Sequence, residues 1–443
     1  MNYYSTNHQS PVAAFKEAAI YGQAPDKGLY FPECIPQVSR KLIDNIENYS
    51  NAAIAYEVIK PYIGNEMEDA ALKKIVEETI DFSIPLLPVN ENIFSLELFH
   101  GPTLAFKDVG ARFMSRCLGY FSNDIEKKIV VLVATSGDTG GAVAHGFYNV
   151  PNVEVVILYP SGKVSSVQEK QLTTLGNNIH ALEVNGSFDD CQQMVKQAFA
   201  ETSSFKNIFL TSANSINVAR WLPQQFYYFF GYKQFAGVHK QPPAIKTDTA
   251  LGPVFCVPSG NFGNICAGML AQASGLPVKH FIAACNANDV VPQFLQTAVY
   301  EPKKAIGTIS NAMDVGNPSN FVRILEIFGH NNTALKQKLS ACSISDEETR
   351  QTIKTVYQKK GYLLDPHGAV AYVALEKYLQ DHQSDTGILL ETAHPVKFFD
   401  VVEPLIGAVI PLPDSVKTQV KKEKKAIWMD GEYEELKDFL MKL

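Results

Sequence analysis

The order of hydrophobic and polar positions along the chain predicts alternating strands and helices. Mainly apolar runs predict buried strands at residues 128–135, 153–158, 181–184, 254–258, 280–284 and 388–391. Apolar residues at helical spacing predict helices at 165–175 and 189–199, and two more helices are expected to begin at Ala142 and Ile265. Buried strands that alternate with helices are typical of parallel sheets, so we predict an α/β protein with two sheet units and a ligand between them.

A chain of 443 residues is too long for one simple core, and three domains are expected. Residues 1–90 lack the strand–helix alternation and are predicted to form a separate, mainly helical domain. Residues 91–233 are predicted to contain the smaller sheet, and residues 234–443 the larger one. Residues 234–252 include a Pro-Pro pair and few periodic apolar positions, which predicts a linker or surface excursion.

Composition and charge restrict the partners and the compartment. The net charge of −7 argues against a nucleic-acid-binding surface, and the sequence has no apolar run of the roughly 18 residues that a membrane span needs. Its seven cysteines are scattered without a C-x-x-C pair, which argues against a disulfide scaffold or structural zinc site. Residues 1–18 are unlike a secretory signal or transit peptide. We therefore expect a cytoplasmic protein with no nucleic-acid or membrane partner.

Lys107 is the first candidate for catalysis. It follows the apolar segment 96–106 (LELFHGPTLAF) and lies between Phe106 and Asp108. A lysine that forms an imine must spend time unprotonated, and a partly desolvated position lowers the pKa of its amine. The apolar lead-in fits this requirement, although a surface lysine at the start of a helix would show the same local pattern.

Two glycine-rich turns follow predicted strands. The first consists of Gly260, Asn261, Phe262, Gly263 and Asn264. Backbone N–H groups at the start of the following helix favour an anion such as phosphate, but GNFGN matches neither the Walker nor the dinucleotide pattern. The second turn, residues 135–141 (TSGDTGG), offers the hydroxyls of Thr135, Ser136 and Thr139 where ligands bind in open α/β sheets. A tight strand–helix turn and helix capping are the alternatives that remain open.

Two further polar segments complete the candidates. In residues 212–220 (SANSINVAR), Asn214 and Arg220 are placed to converge on one anion, since arginine binds carboxylate or phosphate in a bidentate manner. In residues 389–398 (LLETAHPVKF), Thr392 follows a strand and can donate a hydrogen bond to a ring nitrogen. His394 has no partners at metal-ligand spacing, so no metal site is expected.

The order of these motifs is more specific than any one of them. HGPTLAFKD, ATSGDTGGAVAH, SANSINVAR, VPSGNFGN and ETAHPVKF, together with the opening residues 3–33 and SNAMDVGNPSNF at 310–321, closely resemble threonine synthases over nearly the whole chain. The resemblance implies a fold-type-II pyridoxal-phosphate enzyme, with two parallel-sheet α/β domains around a cofactor cleft and an N-terminal mainly helical domain. It places the cofactor lysine in the region of the smaller sheet and the cofactor phosphate loop in the larger domain.

The resemblance also implies a role for each candidate residue. Lys107 would carry the cofactor as a Schiff base and act as the catalytic base, with Phe106 beside it. Residues 260–264 would hold the cofactor phosphate, and Thr392 would face the pyridine nitrogen. Asp138 occupies a position where related enzymes have an asparagine near the cofactor's 3′-oxygen, and a carboxylate there raises an electrostatic question because both groups can be anionic. The expected ligands of the substrate's carboxylate and phosphate are Thr135, Ser136, Thr139, Asn214 and Arg220, the last two for the phosphate.

The implied reaction converts O-phospho-L-homoserine and water to L-threonine and phosphate by γ-elimination and β-hydration. A phospholyase of the same family would use the same motifs and release α-ketobutyrate, ammonia and phosphate. A serine or threonine dehydratase is disfavoured, because Asn214 and Arg220 indicate a phosphate in the substrate. A cofactor-free binding protein with the same fold is the alternative from a different class, and both monomer and homodimer remain open.

Overall fold

The computed structural model describes residues 1–122, 125–238 and 252–443, which form three β-sheets and their covering helices. The strands are β1 (Asn2–Ser5), β2 (Ala13–Ala14), β3 (Tyr30–Pro32), β4 (Leu86–Pro88), β5 (Ile93–Glu97), β6 (Lys128–Ala134), β7 (Val153–Pro160), β8 (Ile179–Asn185), β9 (Ile208–Thr211), β10 (Val254–Pro258), β11 (His280–Cys285), β12 (Leu339–Ser343), β13 (Gly387–Glu391) and β14 (Ile427–Asp430).

The α-helices in the described part of the chain are α1 (Phe15–Tyr21), α2 (Arg40–Asp44), α3 (Asn51–Ile63), α4 (Asp69–Thr79), α5 (Lys107–Phe121), α6 (Asp138–Phe147), α7 (Ser166–Thr173), α8 (Phe188–Ala200), α9 (Val218–Trp221), α10 (Gln225–Val238), α11 (Gly263–Ala273), α12 (Val290–Thr297), α13 (Phe321–Ile327), α14 (Asn332–Lys338), α15 (Asp346–Lys360), α16 (Pro366–Asp381), α17 (Phe399–Ile406), α18 (Asp414–Val420) and α19 (Tyr433–Met441). None of these helices combines the length and apolar character that crossing a membrane requires.

The N-terminal region is mainly helical, as predicted. Helices α1 to α4 pack around a buried face, and β1 pairs antiparallel with β2 and β3 in a small sheet that the sequence pattern did not predict. In α3, Ile54, Val58, Ile59 and Tyr62 recur at helical spacing and are almost fully buried. Hydrophobic burial of that stripe accounts for the docking of the helix.

The five-stranded sheet is parallel, with the order β14-β8-β7-β6-β9. Along β6, Val131 and Val133 belong to one hydrophobic core, whereas Val130 and Leu132 belong to another on the opposite face. A strand buried on both faces needs apolar residues at every position, which explains the unbroken run in the sequence. The amino ends of α6 and α7 follow the carboxyl ends of β6 and β7.

The six-stranded sheet has the order β12-β11-β10-β13-β5-β4, in which β4 alone is antiparallel to its neighbour. Strand β10 lies in the interior of the sheet, and α11 begins five residues after it ends. Strand β5 leads into the loop before α5. The carboxyl ends of β5, β10 and β13 therefore meet at one edge, where three of the candidate motifs begin.

All six predicted strands are confirmed, and three features differ. Helices α6 and α11 begin at Asp138 and Gly263 rather than at Ala142 and Ile265, because turn-type residues occupy their first turns in helical conformation. Short strands such as β5, β9, β12 and β14 were not predicted, and β14 is mostly exposed. Residues 234–238, predicted as linker, continue α10, where Gln234 donates to Ile84 O at 2.9 Å. The rest of that predicted linker, up to 251, lies outside the described residues.

Sheet membership does not follow the order of the chain. Strand β5 lies in the six-stranded sheet although it falls within residues 91–233, and β14 lies in the five-stranded sheet although it falls within residues 234–443. Hydrogen bonding between strands distant in sequence decides this membership, and no local pattern reports it. The three domain ranges themselves stay a prediction.

Candidate active site

Lys107 is the first residue of α5, and the loop before it is held against the turn that follows β13. Phe106 donates its backbone N–H to the carbonyl of Thr392 at 2.9 Å. Ala105 and Ala393 form an isolated antiparallel bridge between the same segments. The lysine and the residue predicted to face the ring nitrogen therefore lie on adjacent, hydrogen-bonded segments.

The amine of Lys107 lies in a partly desolvated position. Its Nζ is 4.6 Å from the centroid of the Phe106 ring and 3.6 Å from Asp138 Oδ2, and the side chain is 17% exposed. Burial lowers the pKa of Lys107, and Lys397 and Arg220 lower it further, whereas Asp138 acts in the opposite direction. A lowered pKa increases the unprotonated fraction of the amine near neutral pH, as a nucleophile or base requires.

Asp138, at the start of α6, is a buried carboxylate with charged neighbours on two sides. Its Oδ1 lies 2.6 Å from Lys397 Nζ and accepts a hydrogen bond from Gln168 Nε2 at 2.9 Å. Burial by itself would raise the pKa of Asp138, but Lys397 and Lys107 hold that pKa well below its usual value. The side chain is therefore anionic at neutral pH.

In the turn at residues 135–141, the hydroxyl oxygen of Thr135 accepts hydrogen bonds from the backbone, whereas the hydroxyls of Ser136 and Thr139 do not. Thr135 Oγ1 accepts the backbone N–H groups of Gly137 at 3.0 Å and Gly140 at 2.9 Å, so it caps the start of α6. Capping, the structural alternative for this turn, is thus found at Thr135. Ser136 and Thr139 are half-buried, and their hydroxyls make no hydrogen bond within the described part of the chain.

The glycine-rich loop 260–264 joins β10 to α11 and lies against two other loops. Asn261 donates its side-chain amide to Ser215 Oγ at 2.7 Å and accepts the backbone N–H of Ser319 at 2.7 Å. A Cβ at Gly260 would lie 2.6 Å from Met313 Cα, so the backbone approaches too closely for any side chain at that position. The loop is therefore held in place by contacts with both the 212–220 and the 310–321 segments.

The amino end of α11 carries donors that lack acceptors. No side chain caps the helix, and the backbone N–H groups of Gly263, Asn264 and Ile265 donate to no acceptor among the described residues. Asn264 Nδ2 is buried and likewise unpaired there, although its Oδ1 accepts the hydroxyl of Tyr228 at 2.9 Å. Phe262, just before the helix, has a left-handed backbone with φ +59°. Several free donors at the positive end of a helix are suited to an anion.

Thr392 lies directly after β13 and is buried. Its hydroxyl has no hydrogen-bond partner among the residues that the structure describes. Glu391, one position earlier, points its side chain elsewhere: its Oε1 accepts the backbone N–H of Asp365 at 2.7 Å. The residue that remains for a ring nitrogen is therefore a neutral hydroxyl and not a carboxylate.

Arg220 is a buried cation that pairs with no carboxylate in the described part of the chain. It is 3% exposed, its Nη1 donates to the carbonyl of Ala213, and its Nε has no hydrogen-bond partner among the described residues. Burial lowers the pKa of Arg220 to about 10, so the guanidinium remains charged at neutral pH. A Cβ at Gly110 would lie 3.2 Å from Arg220 Nε, which places the guanidinium beside α5, one turn after Lys107. Asn214 is half-buried, and its side-chain amide makes no hydrogen bond with a described residue.

The sequence interpretation missed several residues that build the site. Lys397 lies within the ETAHPVKF motif but was not singled out. Its apolar neighbours, Val396 and Phe398, indicate a buried lysine. Gln168 and Tyr227 left no such signal, since a glutamine or tyrosine on a helix is ordinary. Tyr227 donates its hydroxyl to the carbonyl of Phe106 and so fixes the loop before Lys107. Ser215 lay inside a predicted motif but was not singled out.

The residues present fit pyridoxal phosphate, the cofactor implied by the resemblance. An amine with a lowered pKa, a buried unpaired hydroxyl and a helix terminus with free donors correspond to its aldehyde, its ring nitrogen and its phosphate. The orphaned Asn264 Nδ2 carries most weight, because a buried donor without an acceptor is costly unless a ligand supplies one.

Comparison of the sequence with family models and with known proteins identifies related enzymes. A family model described as pyridoxal-phosphate dependent enzyme matches residues 84–390, and models for the threonine synthase N terminus and C-terminal part match residues 2–80 and 368–440. Threonine synthase of Haemophilus influenzae is 44% identical over 442 residues, which cover 100% of both chains.

Two solved structures agree. A crystal structure of threonine synthase from Escherichia coli superimposes with a TM-score of 0.90 at 40% identity and covers 100% of both chains. A pyridoxal-phosphate-bound threonine synthase from Brucella melitensis superimposes with a TM-score of 0.91 at 33% identity, over 100% of this chain and 99% of that one. The cofactor of this chain is pyridoxal phosphate, and the relatives favour threonine formation over the phospholyase alternative. The chain is thus a pyridoxal-phosphate-dependent enzyme of fold type II, and it belongs to the threonine synthase family.

Proposed function

We propose that this enzyme takes O-phospho-L-homoserine as its substrate and binds the substrate's phosphate at Arg220. One observation carries the proposal: a buried guanidinium with an unpaired Nε and no carboxylate partner among the described residues lies beside the helix of Lys107. A buried cation is unfavourable unless an anion compensates it, and arginine suits phosphate through its paired N–H donors. A serine or threonine substrate would bring no phosphate to this position.

The charges near Lys107 support an anionic substrate. Lys397 and Arg220 contribute cations near the amine of Lys107, and the carboxylate of Asp138 is paired with Lys397 at 2.6 Å. Asp108, the buried carboxyl that follows Lys107 in the chain, has its pKa raised by burial and accepts hydrogen bonds from the N–H of Thr103 at 2.9 Å and from its hydroxyl at 2.5 Å. The excess of positive charge attracts a substrate that carries both a phosphate and a carboxylate.

The half-buried hydroxyls and the amide supply the remaining contacts. Ser136 and Thr139 have free donors near the start of α6, and we assign them to the substrate's carboxylate. Asn214, with its free amide, joins Arg220 at the phosphate. Thr135 can make one contact with the substrate, through its hydroxyl proton, since its oxygen already accepts hydrogen bonds from two backbone N–H groups.

The cofactor-binding roles follow the free donors described above. We assign the cofactor phosphate to Gly260 through Asn264, the pyridine nitrogen to Thr392, and the neighbourhood of the 3′-oxygen to Asp138. Lys107 attaches the cofactor through its Nζ, and Phe106 packs beside that atom at 4.6 Å. When bound, pyridoxal phosphate supplies an electron sink that stabilises negative charge on the substrate carbon.

Proton transfer is then the task of Lys107. Its amine removes the proton from Cα of the substrate and a second proton at Cβ, after which phosphate leaves from Cγ. A proton delivered to Cγ forms the methyl group, water adds its hydroxyl at Cβ, and a proton returned to Cα completes L-threonine. The remaining proton of the water balances the released phosphate, so that phosphohomoserine and water give threonine and phosphate. Arg220 and Asn214 hold the phosphate in place while its bond to Cγ breaks.

Product identification tests this proposal. The purified enzyme is incubated with O-phospho-L-homoserine, and threonine, α-ketobutyrate, ammonia and phosphate are quantified. We expect threonine and phosphate in equal amounts, with little ketoacid. Mainly α-ketobutyrate and ammonia would overturn it in favour of the phospholyase, and turnover of serine or threonine in preference to phosphohomoserine would favour a dehydratase.

The proposal places this reaction in the cytoplasm. All seven cysteines are free, and five of them are buried. Free thiols persist in a reducing compartment.

A further inference from the structure

Lys397 joins the two sides of the cleft by a fully buried side chain. It lies in the short 3-10 helix Pro395–Phe398, which follows β13 of the six-stranded sheet. Its Nζ lies 2.6 Å from Asp138 Oδ1, at the start of α6 beside the five-stranded sheet. The same Nζ donates to the carbonyl of Thr103 at 2.8 Å, in the loop that leads to Lys107.

The two oxygens of Asp138 face different partners. Oδ1 forms an ion pair with Lys397 and accepts a hydrogen bond from the side-chain amide of Gln168 at 2.9 Å. Oδ2 is directed toward Lys107 Nζ at 3.6 Å. A buried carboxylate requires a compensating charge, and Lys397 supplies it on the side away from Lys107. The negative charge of Asp138 is therefore balanced by Lys397 without a contribution from Lys107.

We propose that Lys397 is a positioning residue that neutralises Asp138, so that Lys107 keeps a reactive, unprotonated amine and Asp138 can lie beside the cofactor's 3′-oxygen without net repulsion. This inference rests on the roles proposed above for Lys107 and Asp138. It answers the electrostatic question that an aspartate raises at this position. Without Lys397, the carboxylate would have Lys107 as its cationic partner and would favour the ammonium form.

Other charged or titratable groups surround the three residues. Burial lowers the pKa of His145, on α6, and of His394, in the turn after β13, to about 4 in each case, so both are neutral near pH 7. Arg220, on α9, is a further cation that lowers the pKa of Lys107. Asp108, on α5, is bound by the neutral donors of Thr103. Lys397 is thus the cation in closest contact with Asp138.

The test uses the purified holoenzyme without substrate. Its visible absorption is titrated with pH for the wild type, Lys397→Met, Asp138→Asn and the double variant. The matched control is Lys279→Met, because Lys279 also pairs with a buried carboxylate, Asp385, but at the opposite end of the six-stranded sheet. Cofactor retention is measured in the same samples by dialysis and absorbance.

Electrostatic compensation predicts shifts of opposite sign. We expect the midpoint of the spectral titration to rise by ~1 pH unit or more in Lys397→Met, because an uncompensated Asp138 carboxylate favours the protonated form of the Lys107 nitrogen. We expect the midpoint to fall in Asp138→Asn, because the uncompensated ammonium of Lys397 disfavours that form. The double variant should return toward the wild-type midpoint and retain the cofactor better than Lys397→Met. Lys279→Met should match the wild type.

Three results would overturn the inference. They are an unchanged midpoint in Lys397→Met, shifts of the same sign in both single variants, or damage that accumulates in the double variant, as a pure packing role predicts. Failure of all three variants to hold the cofactor, while Lys279→Met holds it, would also assign Lys397 to packing alone. If the wild type itself shows no pH-dependent visible band, the proposed role of Lys107 fails instead, and the two failures are distinguishable.

Discussion

The backbone N–H of Phe106 donates to the carbonyl of Thr392 at 2.9 Å, although the two residues are almost three hundred positions apart in the chain. Because Lys107 follows Phe106 directly, this bond sets the distance between the catalytic amine and the hydroxyl that we assign to the ring nitrogen. The antiparallel bridge between Ala105 and Ala393 reinforces it. The two residues that we assign to opposite ends of the cofactor ring are thus held together by one short backbone pairing.

Replacement of Lys107 by alanine should abolish catalysis but preserve the fold. We expect threonine formation to fall by ~10³-fold or more, because both proton transfer and covalent attachment are lost. The visible absorption of the bound cofactor should disappear, while the far-ultraviolet circular dichroism should remain, since the Lys397–Asp138 ion pair is left intact. Lys354→Ala, an exposed lysine on α15, is the control. A Lys107→Ala variant with the wild-type visible band would refute the role of this residue.

Arg220→Met should separate phosphate binding from stability. Inorganic phosphate should raise the Tm of the wild type but not of the variant, because a ligand stabilises a protein only in the state that binds it. The kcat/KM for O-phospho-L-homoserine should fall by ~10²-fold, about 2.7 kcal/mol, consistent with loss of a charge-assisted contact. In phosphate-free buffer the free energy of unfolding should not fall, since the variant removes a buried charge without a carboxylate partner.

The control for that experiment is Arg40→Gln, an exposed arginine paired with Asp44 on α2. It should keep the phosphate-dependent rise in Tm. An equal rise in wild type and Arg220→Met would place the phosphate elsewhere.

Gly137→Ala should disturb the Asp138 site, whereas Gly162→Ala should not. Gly137 has φ +138°, and a Cβ there would lie 2.5 Å from Gln168 Cδ. The side-chain amide of Gln168 donates a hydrogen bond to Asp138. Gly162 also has a positive φ, +64°, but a Cβ there meets nothing within 4 Å. We expect about 1–3 kcal/mol of destabilisation in Gly137→Ala, from backbone strain and the displaced glutamine, together with an altered visible spectrum of the holoenzyme. Gly162→Ala should lose stability through strain alone and keep the wild-type spectrum.

The result that would contradict this interpretation is an identical spectrum for Gly137→Ala and the wild type despite the lower stability. Urea unfolding followed by circular dichroism gives the free energies, and the spectra are recorded before denaturant is added.

Glu391→Gln should reduce the pH dependence of stability. Burial, and secondarily Asp365, raises the pKa of Glu391 well above its usual value, and its Oε2 has no hydrogen-bond partner among the described residues. A carboxyl whose pKa is raised on folding binds more protons in the folded state, so the free energy of unfolding falls as pH rises above the unfolded pKa of about 4.3. The variant should therefore be more stable than the wild type at pH 8, and the difference should shrink toward pH 5.

Thermal unfolding between pH 5 and pH 8 measures this difference. Glu33→Gln, which replaces an exposed glutamate, should change the Tm little at any pH in the range. A Glu391→Gln variant that is less stable than the wild type at pH 8 would show that the carboxylate is ionised and paired in the folded protein.

The sequence by itself determined the buried strands, the fold class and most members of the site. The runs that became β6, β7, β10, β11 and β13 are mainly apolar because both faces of each strand are buried, and this apolar character can be read locally from the residues. The motifs around Lys107, the loop 260–264 and Thr392 could be found because each is a contiguous segment at the carboxyl end of a strand. Helix starts at Asp138 and Gly263 were misplaced, since glycine and aspartate occur in both turns and first helical turns.

Only the tertiary structure decided which strands share a sheet and how the charges of the site are balanced. Strand β14 reaches the five-stranded sheet from the end of the chain, and Lys397 reaches Asp138 from a different sheet, over distances in sequence that no local pattern encodes. Whether a lysine is a solvated surface group or a buried counter-ion depends on what packs around it, because desolvation and pairing are properties of the folded environment. For that reason Lys107 could be singled out from its motif, whereas the pairing of Lys397 with Asp138 could not be predicted.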